Sequence, residues 1–199
     1  MGYDIVLATN NKHKLIEVGQ ILSPYGIVVH GLKELGLFPE EVEENGKDYY
    51  ENALIKANSV KILTSLPVIA DDSGLEVVAL NNKPGLHSAR YAEECGSHDI
   101  AMENIINDIE GKDRTARFIC DIVAVNIGSS PLEFKGVCEG SIIDHKDGTA
   151  GFGYDPIFKC NATGKSFGVM SEEEKNHYSH RALALQKFVT FLKEKGLIK

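Results

Sequence analysis

No stretch of this chain approaches the roughly 18 consecutive apolar residues that a membrane span needs, so membrane association has no support. A surplus of basic residues is missing too. The formal charge of -8 argues against a protein that grips nucleic acid, since such binding needs excess lysine and arginine to neutralise phosphates. Cysteine is sparse: Cys95, Cys120, Cys138 and Cys160 stand far apart with no C-x-x-C pair. That excludes a zinc ribbon and a dithiol redox motif and leaves reduced, partly buried thiols. The opening Met1-Gly2-Tyr3-Asp4 runs into Ile5-Val6-Leu7-Ala8 without a basic leader, and Val6 stands where a myristoylation signal needs Ser or Thr. The expected location is the cytoplasm.

Three familiar motifs also lack an essential part. Gly164-Lys165-Ser166 has the ending of a phosphate-binding Walker loop, but Lys159 occupies the place of its first glycine. The same residues with Phe167-Gly168 match an esterase elbow, yet Asn161-Ala162-Thr163 reads as a turn where a strand is required. Gly151-Phe152-Gly153 would begin a dinucleotide fingerprint whose third glycine is Pro156. A serine hydrolase and a Rossmann enzyme are thereby disfavoured.

What is present suits one globular domain over residues 1–199, with two small domains as the alternative: 43% hydrophobic and 25% charged residues suffice for a core and a solvated surface. Ile5 to Ala8 reads as a buried strand, Thr9-Asn10-Asn11 as a turn, and Leu15, Val18 and Leu22 as a helical stripe. Ile27 to His30 predicts a second strand. Asp48 caps a helix to about Leu63, in which Ala53, Ala57 and Val60 pack while Asn52 and Lys56 share another face. Val68-Ile69-Ala70 predicts a strand ending at Asp71-Asp72, and Leu75 to Leu80 resumes strand character. A loop over 84–90, a helix near 99–109, long strands over 116–127 and 132–143, and a closing helix carrying Leu185, Phe188, Val189 and Leu192 complete an α/β pattern with a mixed sheet and covering helices.

Adjacent carboxylates repel unless a cation or proton neutralises them, so Asp71-Asp72 marks either a metal site or a capped turn. The acidic run Glu40, Glu41, Glu43, Glu44 reads as a solvated face unless it approaches Asp72. Thr9 to Lys14 offers anion-binding groups at a helix N-terminus, or simply a cap with exposed lysines. Gly151 to Pro156 sets Phe152 and Tyr154 among glycines, where a ring can stack on a base or fill the core. Ser179-His180-Arg181 opens the last helix with an imidazole and a guanidinium, Lys175 just before it.

Taken in order, seven segments resemble the inosine triphosphate pyrophosphatase family, the Ham1-like pyrophosphatases. They are Thr9 to Lys14, Glu43-Glu44-Asn45-Gly46, Glu51 to Ala57, Ala70 to Leu75, Pro84-Gly85 with Ser88 to Tyr91, Phe152 to Phe158, and Ser179 to Ala182. The first loop departs at Asn10, where many members carry glycine. The resemblance implies an elongated mixed sheet with two helical lobes around a nucleotide cleft, a homodimer, and hydrolysis of the deaminated purine nucleotides ITP, dITP and XTP to monophosphate and diphosphate. It places the general base on Asp72 with Ser73 beside it, and Mg2+ on Glu43 and Asp72, with Glu44 as the adjacent alternative. It assigns phosphate contacts to Thr9, Asn10, Asn11, Lys12, His13 and Lys14 with Lys56 and Lys175, and base recognition to Phe152, Gly153, Tyr154 and Asp155 with His180 and Arg181. The alternatives are a pyrophosphatase for pyrimidine or other modified nucleotides, and a non-catalytic nucleotide sensor or RNA-binding module.

Overall fold

The computed structural model describes residues 2–199. The elements, in chain order, are β1 (Tyr3–Leu7), α1 (Lys12–Leu22), β2 (Ile27–Gly31), α2 (Tyr49–Lys61), β3 (Val68–Val77), β4 (Lys83–Pro84), α3 (Ser88–Cys95), α4 (His98–Asp108), β5 (Thr115–Val125), β6 (Leu132–Ile142), β7 (Phe158–Cys160), α5 (Glu172–Tyr178) and α6 (His180–Glu194). The strands form a mixed sheet in the order β2-β1-β3-β5-β6-β7, with β4 paired to β3. β1 runs parallel to β2, from Tyr3↔Ile27 to Leu7↔Gly31, and parallel to β3 through Val6↔Val68 and Leu7↔Ile69. β4 and β7 add antiparallel partners to β3 and β6. Among the described residues no helix is long and apolar enough to cross a membrane.

The chain divides into two compact units, one of Met1–Asp72, Cys120–Gly136 and Arg181–Lys199, the other of Ser73–Ile119 and Val137–His180. In the first, strand alternation decides which residues meet which helices, because successive side chains point to opposite faces. Ile5, Leu7 and Ile69 pack with Val18 and Leu22 of α1 and Leu185, Phe188, Val189 and Leu192 of α6. Their neighbours Val6, Ala8, Val68 and Ala70 pack instead with Ala53, Ala57 and Val60 of α2. The second unit buries Leu75, Val77, Met102, Ile105, Ile109 and a trio of phenylalanines. In that trio Phe118 meets Phe158 edge-on, with ring centroids 4.6 Å apart.

One expectation is corrected here. Val68 to Val77 is a single ten-residue strand, so Asp71 and Asp72 lie inside β3 and do not end it. Two adjacent aspartates break a strand only where their charges go unanswered, and here cations from three helices answer them.

Candidate active site

The first unit gathers charge around β3. The turn after β1 is shaped by its own side chains: Asn11 N donates to Thr9 Oγ1 at 3.1 Å, and Lys14 N donates to Asn11 Oδ1 at 3.2 Å, making Asn11 the N-cap of α1. Such a cap contributes about 1 kcal/mol and fixes the direction in which the first helical turn leaves. That direction carries Lys14 Nζ to 2.9 Å from Asp71 Oδ2. Asn10, Asn11, Lys12 and His13 stay exposed around the helix N-terminus, and Thr9 is half-buried.

From α6, Arg181 reaches the same aspartate, its Nε 3.2 Å and Nη2 3.1 Å from Asp71 Oδ2, while its Nη1 holds Glu17 Oε2 at 3.0 Å. Arg181 is only 1% exposed. Burial works against the Asp71 carboxylate, but Lys14, Arg181 and Lys56 overcome it and hold the group far below the usual carboxylate range. Burial likewise works against the Arg181 charge, and Glu17 and Asp71 reverse that, keeping the guanidinium protonated.

Asp72 meets α2. Asp48 caps that helix by accepting from Glu51 N at 2.8 Å, as the sequence predicts, and one turn of spacing then aligns Asn52 with Lys56. Asn52 Nδ2 donates to Asp72 Oδ2 at 3.2 Å, and Lys56 Nζ stands 3.6 Å from Asp72 Oδ1 and 2.9 Å from Glu44 Oε2. Asn52 also accepts from Gly46 N at 2.8 Å, which ties the acidic loop to α2. Burial pushes the Asp72 carboxyl up to about 6; Lys56 and Lys14 pull it down, Glu44 adds to the rise, and the Asn52 amide opposes it. Asp71 is thus a permanently ionised anchor, whereas Asp72 is a carboxylate whose charge is only partly answered.

Of the two glutamates weighed for metal, Glu44 faces Lys56 beside Asp72, while Glu43 is exposed. Among the described residues no three Asp, Glu, His or Cys side chains form a ready-made cage for a metal ion. Mg2+ does not require one, since it commonly binds through one or two carboxylates and fills its shell with water and substrate phosphate. Asp72, partly uncompensated, and Glu44, on the same ammonium, form a donor set that fits.

The second unit organises the other predicted residues. Asp155 is 2% exposed and accepts from Phe152 N at 2.7 Å and from Lys175 Nζ at 2.7 Å. The Lys175 ammonium also lies 4.8 Å from the centre of the Phe152 ring. Tyr154 donates its hydroxyl to Ser88 O at 2.7 Å, and burial raises its pKa. The His180 imidazole stacks on Phe118, 4.6 Å between centroids and 12° from parallel. Gly153 and Phe152 border a cavity of about 710 Å3, whose other walls include His98, Asp99, Lys146 and Thr149. That volume suits a small ligand. Ser73 follows Asp72 in β3 and is half-buried.

Glu17 and Phe118 take part without having been singled out. Glu17 carries one signal in the sequence, a carboxylate three residues after Lys14 on the same side of α1 as Val18 and Ile21. Phe118 carries none, because a phenylalanine in an apolar strand announces only core.

The Ham1 family profile matches residues 5–191. A dITP/XTP pyrophosphatase of Desulfotalea psychrophila is 44% identical over 182 residues, covering 91% of this chain and 81% of that protein. A dITP/XTP pyrophosphatase of Bacillus subtilis is 40% identical over 192 residues, covering 95% and 96%. Among solved structures, the Staphylococcus aureus Ham1 protein superposes with a TM-score of 0.83 at 38% identity, covering 96% of this chain and 99% of the other. A HAM1 protein from Coxiella burnetii gives 0.84 at 37%, covering 98% and 100%.

Proposed function

The chain belongs to the Ham1 family, and on that premise we propose that it hydrolyses the deaminated purine nucleotides ITP, dITP and XTP to the monophosphate and diphosphate. The observation that carries this reading is the pair of adjacent aspartates in unlike states: Asp71 locked to Lys14 and Arg181, Asp72 left with an undercompensated charge beside Lys56 and Glu44.

Asp72 serves as general base, taking a proton from water at a carboxylate oxygen; a carboxyl raised to about 6 is a better acceptor than an ordinary aspartate and is still largely ionised at neutral pH. Asn52 and Lys56 fix the orientation of that carboxylate. Lys14 and Lys56, with the open N-terminus of α1, bind the triphosphate, whose charge favours such a site. Asp72 with Glu44, or with Glu43 after a shift of the acidic loop, would hold Mg2+, which when bound offsets negative charge on the phosphate oxygens. Phe152 stacks on the base, the segment from Tyr154 to Asp155, supported by Lys175, shapes its pocket, and base recognition extends to His180 and Arg181. Donors that face the O6 of a 6-oxo purine would be left unpaired by the amino group of adenine, which supplies the discrimination. The reading extends to a homodimer working in the cytoplasm.

The test is diphosphate release from ITP, dITP, XTP, GTP, ATP and dUTP at equal concentration, with and without Mg2+, and with the nucleotide product identified. Preference for the deaminated purines with monophosphate as product is expected. Release of orthophosphate, or preference for dUTP, would overturn the proposal, and sedimentation of the purified chain tests the dimer.

A further inference from the structure

Pro84-Gly85 and Ser88 to Tyr91 belong to the family resemblance, yet nothing in the proposed function uses them. In the second unit their placement is specific. β4 pairs with the far end of β3 through Glu76↔Pro84 and Val77↔Lys83, and one step further the same register sets Leu75 opposite Gly85. The Ser88 hydroxyl stands between these two backbones, accepting from Leu75 N at 2.9 Å and donating to Gly85 O at 2.6 Å. Ser88, Leu75 and Gly85 are all buried, so one hydroxyl serves a donor and an acceptor that water does not reach.

The backbone of the same residue meets the base segment. Ser88 O accepts from the Tyr154 hydroxyl at 2.7 Å, and the His98 ring meets Tyr154 edge-on with centroids 5.2 Å apart. Tyr154 directly precedes Asp155, whose carboxylate holds Phe152 N and Lys175 Nζ, each at 2.7 Å. Ser88 therefore joins two structures through two different groups, β3 by its hydroxyl and the Phe152 to Asp155 segment by its carbonyl.

We propose, resting on the assignment of Phe152 to Asp155 to the base, that Ser88 is a positioning residue for base recognition. Its hydroxyl seats the first turn of α3 on β3, its carbonyl then fixes the Tyr154 ring, and Tyr154 sets where Phe152 and Asp155 present themselves to the purine. Ser88 acts only through Tyr154 and contacts no part of the nucleotide. Its loss therefore weakens the grip on the base and spares both the attack of water and the hold on the polyphosphate.

The experiment is steady-state hydrolysis of ITP by Ser88→Ala, Tyr154→Phe and the double variant, alongside inhibition by inorganic tripolyphosphate, which carries no base. In Ser88→Ala the KM for ITP is expected to rise about tenfold with kcat within about twofold of wild type and tripolyphosphate inhibition unchanged. Tyr154→Phe removes only the hydroxyl and gives a KM rise of similar size; the double variant exceeds the larger single effect by little, because both act along one path. Tyr154→Phe keeps the ring and its contact with His98, so it decides the matter even if Ser88→Ala does not fold. A wild-type KM in the single variants, KM effects that multiply in the double variant, or tripolyphosphate inhibition that weakens in step with ITP overturns the proposal. A wild-type chain that leaves ITP intact defeats the proposed function itself, which keeps the two failures apart.

Discussion

Asn52 and Lys56, one helical turn apart in α2, divide the carboxylate of Asp72 between them, the amide on Oδ2 at 3.2 Å and the ammonium on Oδ1 at 3.6 Å. The aim of the proposed base is therefore set by one helix whose start is pinned at Asp48. Asp72→Asn keeps the shape and removes the base. Turnover of ITP is expected to fall by at least about a hundredfold while nucleotide binding stays close to normal. Single-turnover kinetics alongside equilibrium binding measure both, and a near-normal rate would remove Asp72 from the chemistry.

Arg181 is the buried cation shared by Asp71 and Glu17. Replacing it with Met leaves two buried carboxylates, of which Asp71 keeps Lys14 at 2.9 Å. The expected loss of stability is about 3–5 kcal/mol by urea unfolding. Combining Arg181→Met with Glu17→Gln should recover part of that loss, because the second change removes one of the stranded charges. Strict additivity of the two changes would show that the three groups do not act as a unit.

Much of this arrangement can be read from spacing alone. The four-residue interval between Asn52 and Lys56, the Asp48 cap, the apolar run of β1 and the apolar stripe of α6 depend on local pattern, and the chain obeys it. The continuity of β3 through Asp71 and Asp72 does not show in the sequence. Local chemistry treats adjacent aspartates as a break, and the cations that stabilise them come from residues 14, 56 and 181, far along the chain. The short helix α3 likewise does not show in the sequence: it begins inside the loop expected over 84–90 and runs on to Cys95. The choice between Glu43 and Glu44 depends on how the acidic loop is tethered to Asn52, which no pattern in the sequence records.

His30 provides a test of pH dependence away from the site. Its Nε2 lies 2.8 Å from Asp4 Oδ1 and its Nδ1 2.8 Å from Glu34 Oε1. These two carboxylates raise the imidazole pKa above 6.5, Asp4 foremost and then Glu34. A folded-state pKa above the unfolded value means that the stabilisation is fully present below about 6.5 and is lost as pH rises through the folded value. The stability difference between wild type and His30→Gln should therefore be larger at about pH 5.5 than at about pH 8.5. A constant difference across that range would show that the charge makes no contribution.

Phe152 is half-buried, with the Lys175 ammonium over its ring. Under the proposed role, Phe152→Ala removes stacking worth about 1–3 kcal/mol, raising the KM for ITP and for GTP by similar factors. Steady-state kinetics on both nucleotides decide the point, since a large change in their ratio would make the ring a selector of the base as well as a support for it.

The loop leading to Phe152 has little room for substitution. Gly148 and Gly151 adopt φ of 79° and 75°, and a Cβ on Gly148 would overlap the Gly168 carbonyl oxygen, one on Gly151 the Asp155 carboxylate. Between them Thr149 and Ala150 are exposed. A library randomised over residues 148–151 and selected for folded protein should thus return glycine at both ends and a broad mixture between, so that this wall of the cavity can diversify only between two fixed points.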